Sequence, residues 1–585
     1  MKALILDFYV DEPACFGVPP YISPYCRYTA GSLAAAGIPE KNIHYMTVDD
    51  YRRNKKTVPD DYALVILIAG ATVPGRYLGG KIGSVAEILE FLDFRKKHQK
   101  HSLTLIGGPV KYSGSEICSA MEEKRGLVVR GDIELYAGLF AEGKPGLPDS
   151  SFPLKEKRTY GQIDLWAESG AFITTQHPNF PYLILELETY RGCTRNVYCS
   201  FCSEAFYGRP TFRKPEGIFS EVRELYRMGN RYFRLGRQAD LMSYLPKMND
   251  IQNSFPRPDP KSINLLYSGI RKAAPELKML HLDNINPGIL STFPEESEEI
   301  LKIICSNNTA GDTAAMGIES VDSAVITLND LKSSEEESFR AVEIVNRHGS
   351  RRNHGIPLLL PGLNFIHGLA GESDSTFEKN YNFLKKILDA GLLLRRINIR
   401  QAAVHSKSRL ERILAGNAGS EKASLLESIS RKKRNPSFLQ NKFEFYREKI
   451  RKEIDRPMLE RCFPAGTVFQ EVILESEHDG YILGRPLGSY PVTVKIPPGD
   501  PGARAAFQER KAISVIVCDF HERSIIGLSH PVRIPDLSKQ ALGHLPGIGK
   551  KRAGQILENP PENYRDLCAV IESSLFTEKD FKWKL

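Results

Sequence analysis

Three of the ten cysteines of this chain fall within ten residues, in the run Arg191-Gly192-Cys193-Thr194-Arg195-Asn196-Val197-Tyr198-Cys199-Ser200-Phe201-Cys202. They follow an apolar stretch, Tyr182 to Leu187, whose pattern predicts a buried strand. Thiolates are soft ligands, so such a cluster in a reduced compartment points to iron–sulfur or zinc. Three thiolates hold three irons of a 4Fe–4S cluster and leave the fourth iron open to a substrate or cofactor. No fourth cysteine falls within the next hundred residues on the C-terminal side. That favours an open site over structural zinc, which closes its shell with four ligands. A zinc knuckle would need a distant fourth ligand such as His177. A disulfide framework is not needed by a chain of 585 residues, which is large enough to bury its own cores.

At these residues the sequence resembles the radical S-adenosylmethionine (SAM) superfamily. The resemblance implies that Cys193, Cys199 and Cys202 ligate a 4Fe–4S cluster and that SAM chelates the open iron. Reductive cleavage of SAM would then give a 5′-deoxyadenosyl radical. The family spacing is Cys-x-x-x-Cys-x-x-Cys with an aromatic residue before the third cysteine. Phe201 fits, but the first gap, Thr194 to Tyr198, holds five residues instead of three. Later segments follow the family order. Leu235-Gly236-Arg237-Gln238 sits at the place of the second-strand glycine motif. Gly317-Ile318-Glu319-Ser320 is similar to the fourth-strand segment that contacts the ribose and amino group of SAM. Gly368, within Phe365 to Ser373, stands at the fifth-strand turn. Gly236, Gly317, Glu319, Ser320, Gly368 and Phe201 are therefore the expected SAM-side residues. Glu319 alone would read equally well as a carboxylate at a helix start. Arg237, Asn284, His367 and Arg400 fall at strand ends, where residues that steer the chemistry tend to lie.

Strands and helices alternate through most of the chain, which predicts an α/β protein with parallel sheets. The expected organisation is a doubly wound N-terminal sheet (1–145), a linker (146–180), a partial (β/α) radical SAM barrel (181–429), a basic helical connector (430–462), a small β-barrel (463–536) and a C-terminal helical hairpin (537–585). In the first region, Gly107-Gly108-Pro109 and Val128 to Glu134 resemble the cobalamin-binding-like domain that precedes many radical SAM cores. Ile133 replaces the usual second glycine and no Asp-x-His-x-x-Gly occurs. Cobalamin binding and an inherited scaffold without cofactor both stay open. Cys15, Cys26 and Cys118 would be the only N-terminal candidates for a second cluster, and their spacing matches no such pattern.

The C-terminal third points to nucleic acid. Ser430 to Arg456 carries ten Lys/Arg against four acids, a pattern that suits a solvated face or a phosphate backbone. Its aromatics Phe438, Phe443, Phe445 and Tyr446 are expected to dock the connector on the core. Gly480 to Pro486, then Tyr490-Pro491-Val492, is similar to the TRAM domain, an OB-like barrel of tRNA-modifying enzymes. Leu542 to Leu557 resembles the helix-hairpin-helix motif. There Gly547 and Gly549 let helix-terminal amides face a phosphate, and Lys550, Lys551 and Arg552 add charge. A protein-docking role for the same hairpin is the alternative.

The sequence thus predicts an enzyme that cleaves SAM reductively and modifies a nucleic acid, RNA being favoured, with a separate reductant protein for its cluster. The rivals are a cobalamin-dependent methyltransferase acting on a small molecule or protein, and a non-catalytic iron–sulfur protein that binds nucleic acid. The longest apolar run, Tyr62 to Val73, is too short to cross a bilayer, and no cleavable leader is seen, so a cytoplasmic location is expected.

Overall fold

In the computed structural model, the described residues are 1–12, 15–54, 56–59, 61–70, 76–77, 79–98, 102–143, 155–404, 408–415, 436–569, 571 and 573–582. Five parallel strands form the N-terminal sheet, in the order Gly126–Val128, Leu103–Gly107, Leu64–Ile68, Ala3–Asp7, Ile43–Thr47. Numbered along the chain this is 2-1-3-4-5, a doubly wound order whose crevice opens at the carboxyl ends of Ala3–Asp7 and Leu64–Ile68. Both faces are covered. Leu4 and Leu6 pack under the helix Val85–His98, while Ala3 and Ile5 belong to an apolar core continuous with the central domain.

That central domain holds six parallel strands: β1 (Ile184–Glu188), β2 (Tyr232–Gly236), β3 (Met279–Leu282), β4 (Asp312–Glu319), β5 (Leu359–His367) and β6 (Arg396–Gln401). β1, β2 and β3 pair in parallel, and so do β4, β5 and β6. An Asn284–Ala315 bridge joins the two halves into a partial barrel. The N-terminal region adds an edge to it, because Tyr21–Ile22 pairs in parallel with the start of β1. The helices Pro215–Arg227, Pro260–Ala273, Pro294–Asn307, Glu335–Gly349 and Asp374–Asp389 follow the strands in turn and cover their outer face.

The segment expected as a linker, 146–180, carries the helix Tyr160–Ser169 and the 3-10 turn Ala171–Gln176. Thr159 and Gln162 form a capping box that starts the helix Tyr160–Ser169, which packs on the helix Pro24–Ala35. The approach there is close: a Cβ on Gly31 would lie 1.8 Å from the Trp166 carbonyl oxygen. The connector is a helix, Pro436–Ile450, that widens into a π turn at Arg451–Asp455 and continues as Arg456–Cys462. Phe443 is buried against His367, and Tyr446 lies against Phe377 and Tyr381, whereas Phe445 is exposed. Lys432, Lys433, Arg431, Arg434 and the Phe438 side chain lie outside the described residues.

Five strands then close a barrel, Val468–His478, Tyr481–Pro486, Thr493–Ile496, Ser524–Ser529 and Ile513–Phe520 in spatial order, with the helix Pro501–Glu509 between the third and fourth in sequence. This is an OB-like barrel. The terminal helices Lys539–Leu542 and Lys550–Glu558 pack on it through Leu542, Leu545, Ile548 and Ile556 against Ile516, Cys518 and Leu528. Among the described residues no helix is long and apolar enough to cross a membrane.

Candidate active site at the cysteine loop

The cysteine loop leaves β1 through Tyr190–Arg191 and is pinched at its base, where those residues pair antiparallel with Thr211–Phe212. Gly192 takes a left-handed φ of 89° and lies so close to Gly208 that a Cβ would fall 2.6 Å from its carbonyl oxygen. Arg191 reaches back to Glu188 (3.0 Å), Asp132 (2.9 Å) and Glu134 (3.3 Å). The acids of the Gly131–Glu134 motif therefore bind the N-terminal domain to the base of the loop.

All three cysteines line one cavity of about 1130 Å³, counting the space open to solvent. Among the described residues no three His, Cys, Asp or Glu side chains converge on a single ion; a cluster asks instead that each thiolate meet its own iron. The five-residue gap has a structural explanation. Asn196 and Val197, the two residues in excess, are exposed, while Thr194 and Arg195 turn inward and Tyr198 joins the cavity wall. Arg195 donates to Cys199 Sγ (3.3 Å) and to the Asp330 and Leu331 carbonyls.

Burial pushes the Cys193 thiol up to about 11. Cys202 is raised further by burial and by the neighbouring Cys199 and Glu204. Three thiolates crowded in a buried wall need cations to offset their charge, and metal ions supply it. Lys332 stands in the same wall. Burial works against its charge, but Cys199, Glu319 and the other two cysteines outweigh it and hold it protonated.

Opposite the cysteines, β4 ends in Glu319, whose φ of 66° is left-handed and strained for a residue with a Cβ. Its pairing with β5 shifts register between Gly317 and Glu319. Glu319 is buried, its Oε2 has no hydrogen-bond partner, and burial lifts its carboxyl to about 7 against the pull of Lys332 and Arg400. Gly317 makes room for this arrangement: a Cβ there would lie 2.4 Å from Glu319 Oε1 and 3.0 Å from Lys332 Nζ. A strained carboxylate with an open acceptor, facing thiols across a cavity, suits a cationic ligand with an amino group.

The cavity floor comes from a distant part of the chain. The loop between the second and third strands of the OB-like barrel enters the central barrel from below. Ser489 donates its amide to His281 Nδ1 (2.9 Å) and its hydroxyl to the Leu282 carbonyl (2.7 Å). Tyr490, at φ 52°, donates its hydroxyl to Asp283 Oδ1 (2.8 Å) and accepts from Arg234 (3.2 Å), and Arg396 lies 3.6 Å from its ring centre. Arg234 also pairs with Asp283 and with both oxygens of Glu186 (3.1 and 2.9 Å). Burial raises the carboxyls of Glu186 and Asp283.

Of the expected residues, Cys193, Cys199, Cys202, Phe201, Gly317, Glu319, Asn284 and Arg400 line the cavity. The others serve nearby without facing it. Gly236 leaves space for Glu186, since a Cβ would fall 1.5 Å from its Oε1. Ser320 bonds Asn380 and accepts from the Asp322 amide. Gly368 forms the turn at φ 89° and donates to Glu372. Arg237 is buried against Glu204 (3.0 Å), and His367 stacks on Phe377. His177 lies tilted against the Tyr45 ring, outside the cavity lining. Cys26 and Cys118 are buried in two different cores, and the Cys15 side chain lies outside the described residues. Arg195, Lys332, Arg234, Tyr490, Asn364 and Asn398 also line it, and the sequence assigned none of them to this site.

At the other end of the chain, Gly547 (φ 83°), Gly549, Lys550, Lys551 and Arg552 are all exposed around the start of the helix Lys550–Glu558. Arg552 donates to the Gly547 carbonyl (2.7 Å) and ties the turn. None of the five lines the cavity.

The family profile described as the radical SAM superfamily matches residues 187–384. An uncharacterized protein of Methanocaldococcus jannaschii, MJ0274, is 36% identical over 90% of this chain and 93% of its own length. One of Archaeoglobus fulgidus is 35% identical over 94% of each. Among solved structures, the radical SAM methyltransferase TsrM of Kitasatospora setae, with cobalamin and a [4Fe-4S] cluster bound, is 13% identical at a TM-score of 0.47, over 71% of this chain and 78% of that one.

Proposed function

The chain belongs to the radical SAM superfamily, and from that premise we propose that it is an RNA-modifying enzyme of that class. One observation carries the catalytic part: three cysteines, the strained Glu319 and the Gly317 cradle share a single cavity at the carboxyl ends of parallel strands. Cys193, Cys199 and Cys202 would hold three irons of a 4Fe–4S cluster, and Glu319 with the Gly317 backbone would hold the amino group and ribose of SAM. When bound, these groups supply reductive cleavage of a sulfonium and hence a carbon radical able to abstract hydrogen. The protein's part is positioning and exclusion of water. Arg195 places a positive charge on Cys199, and Lys332 balances Glu319 and the thiolates. Asn364, Asn398 and Tyr490 present hydrogen-bonding groups to a polar substrate in the cavity.

The nucleic-acid part rests on the exposed hairpin with three successive basic residues at a helix start, mounted on an OB-like barrel. The barrel is joined to the cavity floor through Ser489 and Tyr490, so a strand held on it is brought to the chemistry. A second reading, cobalamin-dependent methyl transfer, is supported by the crevice of the doubly wound N-terminal sheet. The test is 5′-deoxyadenosine yield from the anaerobically reconstituted protein with dithionite and SAM, with and without total RNA. A rise with RNA supports the proposal. Yield that ignores RNA, with cobalt absorption retained after reconstitution, moves the assignment to the second reading.

A further inference from the structure

A second cavity, of about 1120 Å³ with its solvent-open space, lies where β6, the connector and the OB-like barrel meet. It shares Arg396 and Tyr490 with the catalytic cavity, so those two side chains form the partition between them. Its wall is rich in guanidinium groups. Arg395 and Arg396 come from the start of β6, and Arg523 from the turn joining the last two barrel strands. Arg451 stands beside them on the π turn, close enough to act on both Asp455 and Arg523.

Among the described residues, the carboxylates of this wall do not balance its cations. Arg485 is taken by Glu475 in a two-point contact (2.5 and 3.1 Å). Among the described residues the Arg395 guanidinium bonds only a carbonyl, that of Tyr490 (3.0 Å), and sits over the Phe463 ring; Arg396 faces the Tyr490 ring. Asp455 approaches Arg523 at 3.5 Å, and Glu522 is the other acid of the wall. Burial, with Arg523 and Arg396 nearby, draws Arg395 down to about 10, while burial lifts Asp455 to about 6. Gathering guanidiniums without matching carboxylates is costly unless an anion joins them. Two further features suggest a ligand. A π turn inside a helix is frequent at functional positions, and this one supplies both Arg451 and Asp455. The turn carrying Arg523 is one of the loops by which OB-like barrels hold oligonucleotides.

We propose that this cavity is a phosphate-binding site, built to hold a phosphodiester of the substrate strand one step below the catalytic cavity. Guanidinium forks match phosphate oxygens in two-point contacts. With a phosphate on Arg395 and Arg523, the partition of Arg396 and Tyr490 would report its arrival to the floor network of Arg234 and Asp283. The site itself depends only on the arginine geometry; its assignment to RNA rests on the function proposed above.

The test is calorimetric titration of the reconstituted protein with inorganic phosphate, with adenosine 5′-monophosphate and with a short single-stranded RNA. Wild type should bind the RNA with an affinity that Arg523→Gln weakens about 10-fold, the effect of losing one charge-assisted contact. The slope of log K against log salt should flatten by about 0.7 per phosphate contact removed. Arg523 is half-exposed, and a thermal melt of each variant checks that it folds; Arg395→Lys, which keeps charge but loses the fork, should weaken the same ligand. If phosphate and the mononucleotide bind with this arginine dependence and RNA does not, the site stands and the RNA reading fails. If none of the three binds, or both variants bind all three as wild type does, the proposal is overturned.

Discussion

Arg234→Met keeps the stem of a fully buried side chain and removes the charge around which the cavity floor is organised. Arg234 is 1% exposed and serves Glu186, Asp283, Tyr490 and Ser489 together. Removing one partner of a buried ion pair costs about 3–5 kcal/mol, because the other charge is left uncompensated. Here two carboxylates lose the same guanidinium, so the upper part of that range, about 4–5 kcal/mol, applies. At about 2–4 °C per kcal/mol for a domain of this size, the melting temperature should fall by about 8–20 °C. The loss should depend on pH with a defined sign. Burial already raises Glu186 and Asp283, and without Arg234 both rise further. Carboxyls that hold protons more tightly in the folded state stabilise it below their folded pKa, and that contribution is lost as pH rises through it. The deficit should therefore be largest near pH 8 and shrink towards pH 5.5. Anaerobic thermal melts of wild type, Arg234→Met and the triple variant with Glu186→Gln and Asp283→Asn would decide the matter, the triple variant recovering much of the loss. A single-variant shift under about 3 °C at pH 8, or a deficit that grows on acidification, would falsify the reasoning.

Glu319→Gln should weaken SAM binding about 10- to 100-fold, the worth of a charge-assisted contact, while the absorbance of the reconstituted cluster is retained; equilibrium dialysis with labelled SAM measures it, and unchanged affinity would remove Glu319 from the site. Arg195→Gln takes a positive charge away from Cys199 Sγ and should move the cluster midpoint to more negative potential, read by redox titration under electron paramagnetic resonance. Replacing Lys550 and Lys551 together by Gln should flatten the salt dependence of RNA binding by about 1.4 in log–log slope and leave SAM binding alone; an unaltered slope would make the hairpin a docking element.

The cysteine loop was legible because its signal is local: three soft ligands in ten residues need no knowledge of the fold. Gly317 and Glu319 drew notice only through their order after the cysteine loop, since Glu319 alone reads equally well as a carboxylate at a helix start. The helix Tyr160–Ser169 was overlooked in a stretch read as a linker, although Thr159 and Gln162 carry a capping signature that announces it. Tyr490 had no such signal. Its partners Arg234 and Asp283 are 256 and 207 residues away in sequence, and neither periodicity nor spacing encodes a contact at that range.

The cavity's polar lining was concealed by a different ambiguity, which the barrel resolves. In β2 the apolar Phe233 and Leu235 alternate with Arg234, and in β6 Ile397 and Ile399 alternate with Arg396, Asn398 and Arg400. Alternation of this kind ordinarily describes a sheet with one face in water, so the arginines read as surface residues. In a barrel wrapped by helices the assignment is inverted. Phe233, Leu235 and Ile397 face outward into the apolar core beneath the helices, and the polar residues point to the interior. β1 follows the same rule, with Leu185 and Leu187 in that core and Glu186 turned to Arg234. A polar face repeated on three strands of a parallel domain, each strand followed by a helix or a connector, thus marks a chamber. Its charges, Glu186 and Arg234 on adjacent strands with Arg396 across the floor, are where the substrate's own polarity must be matched.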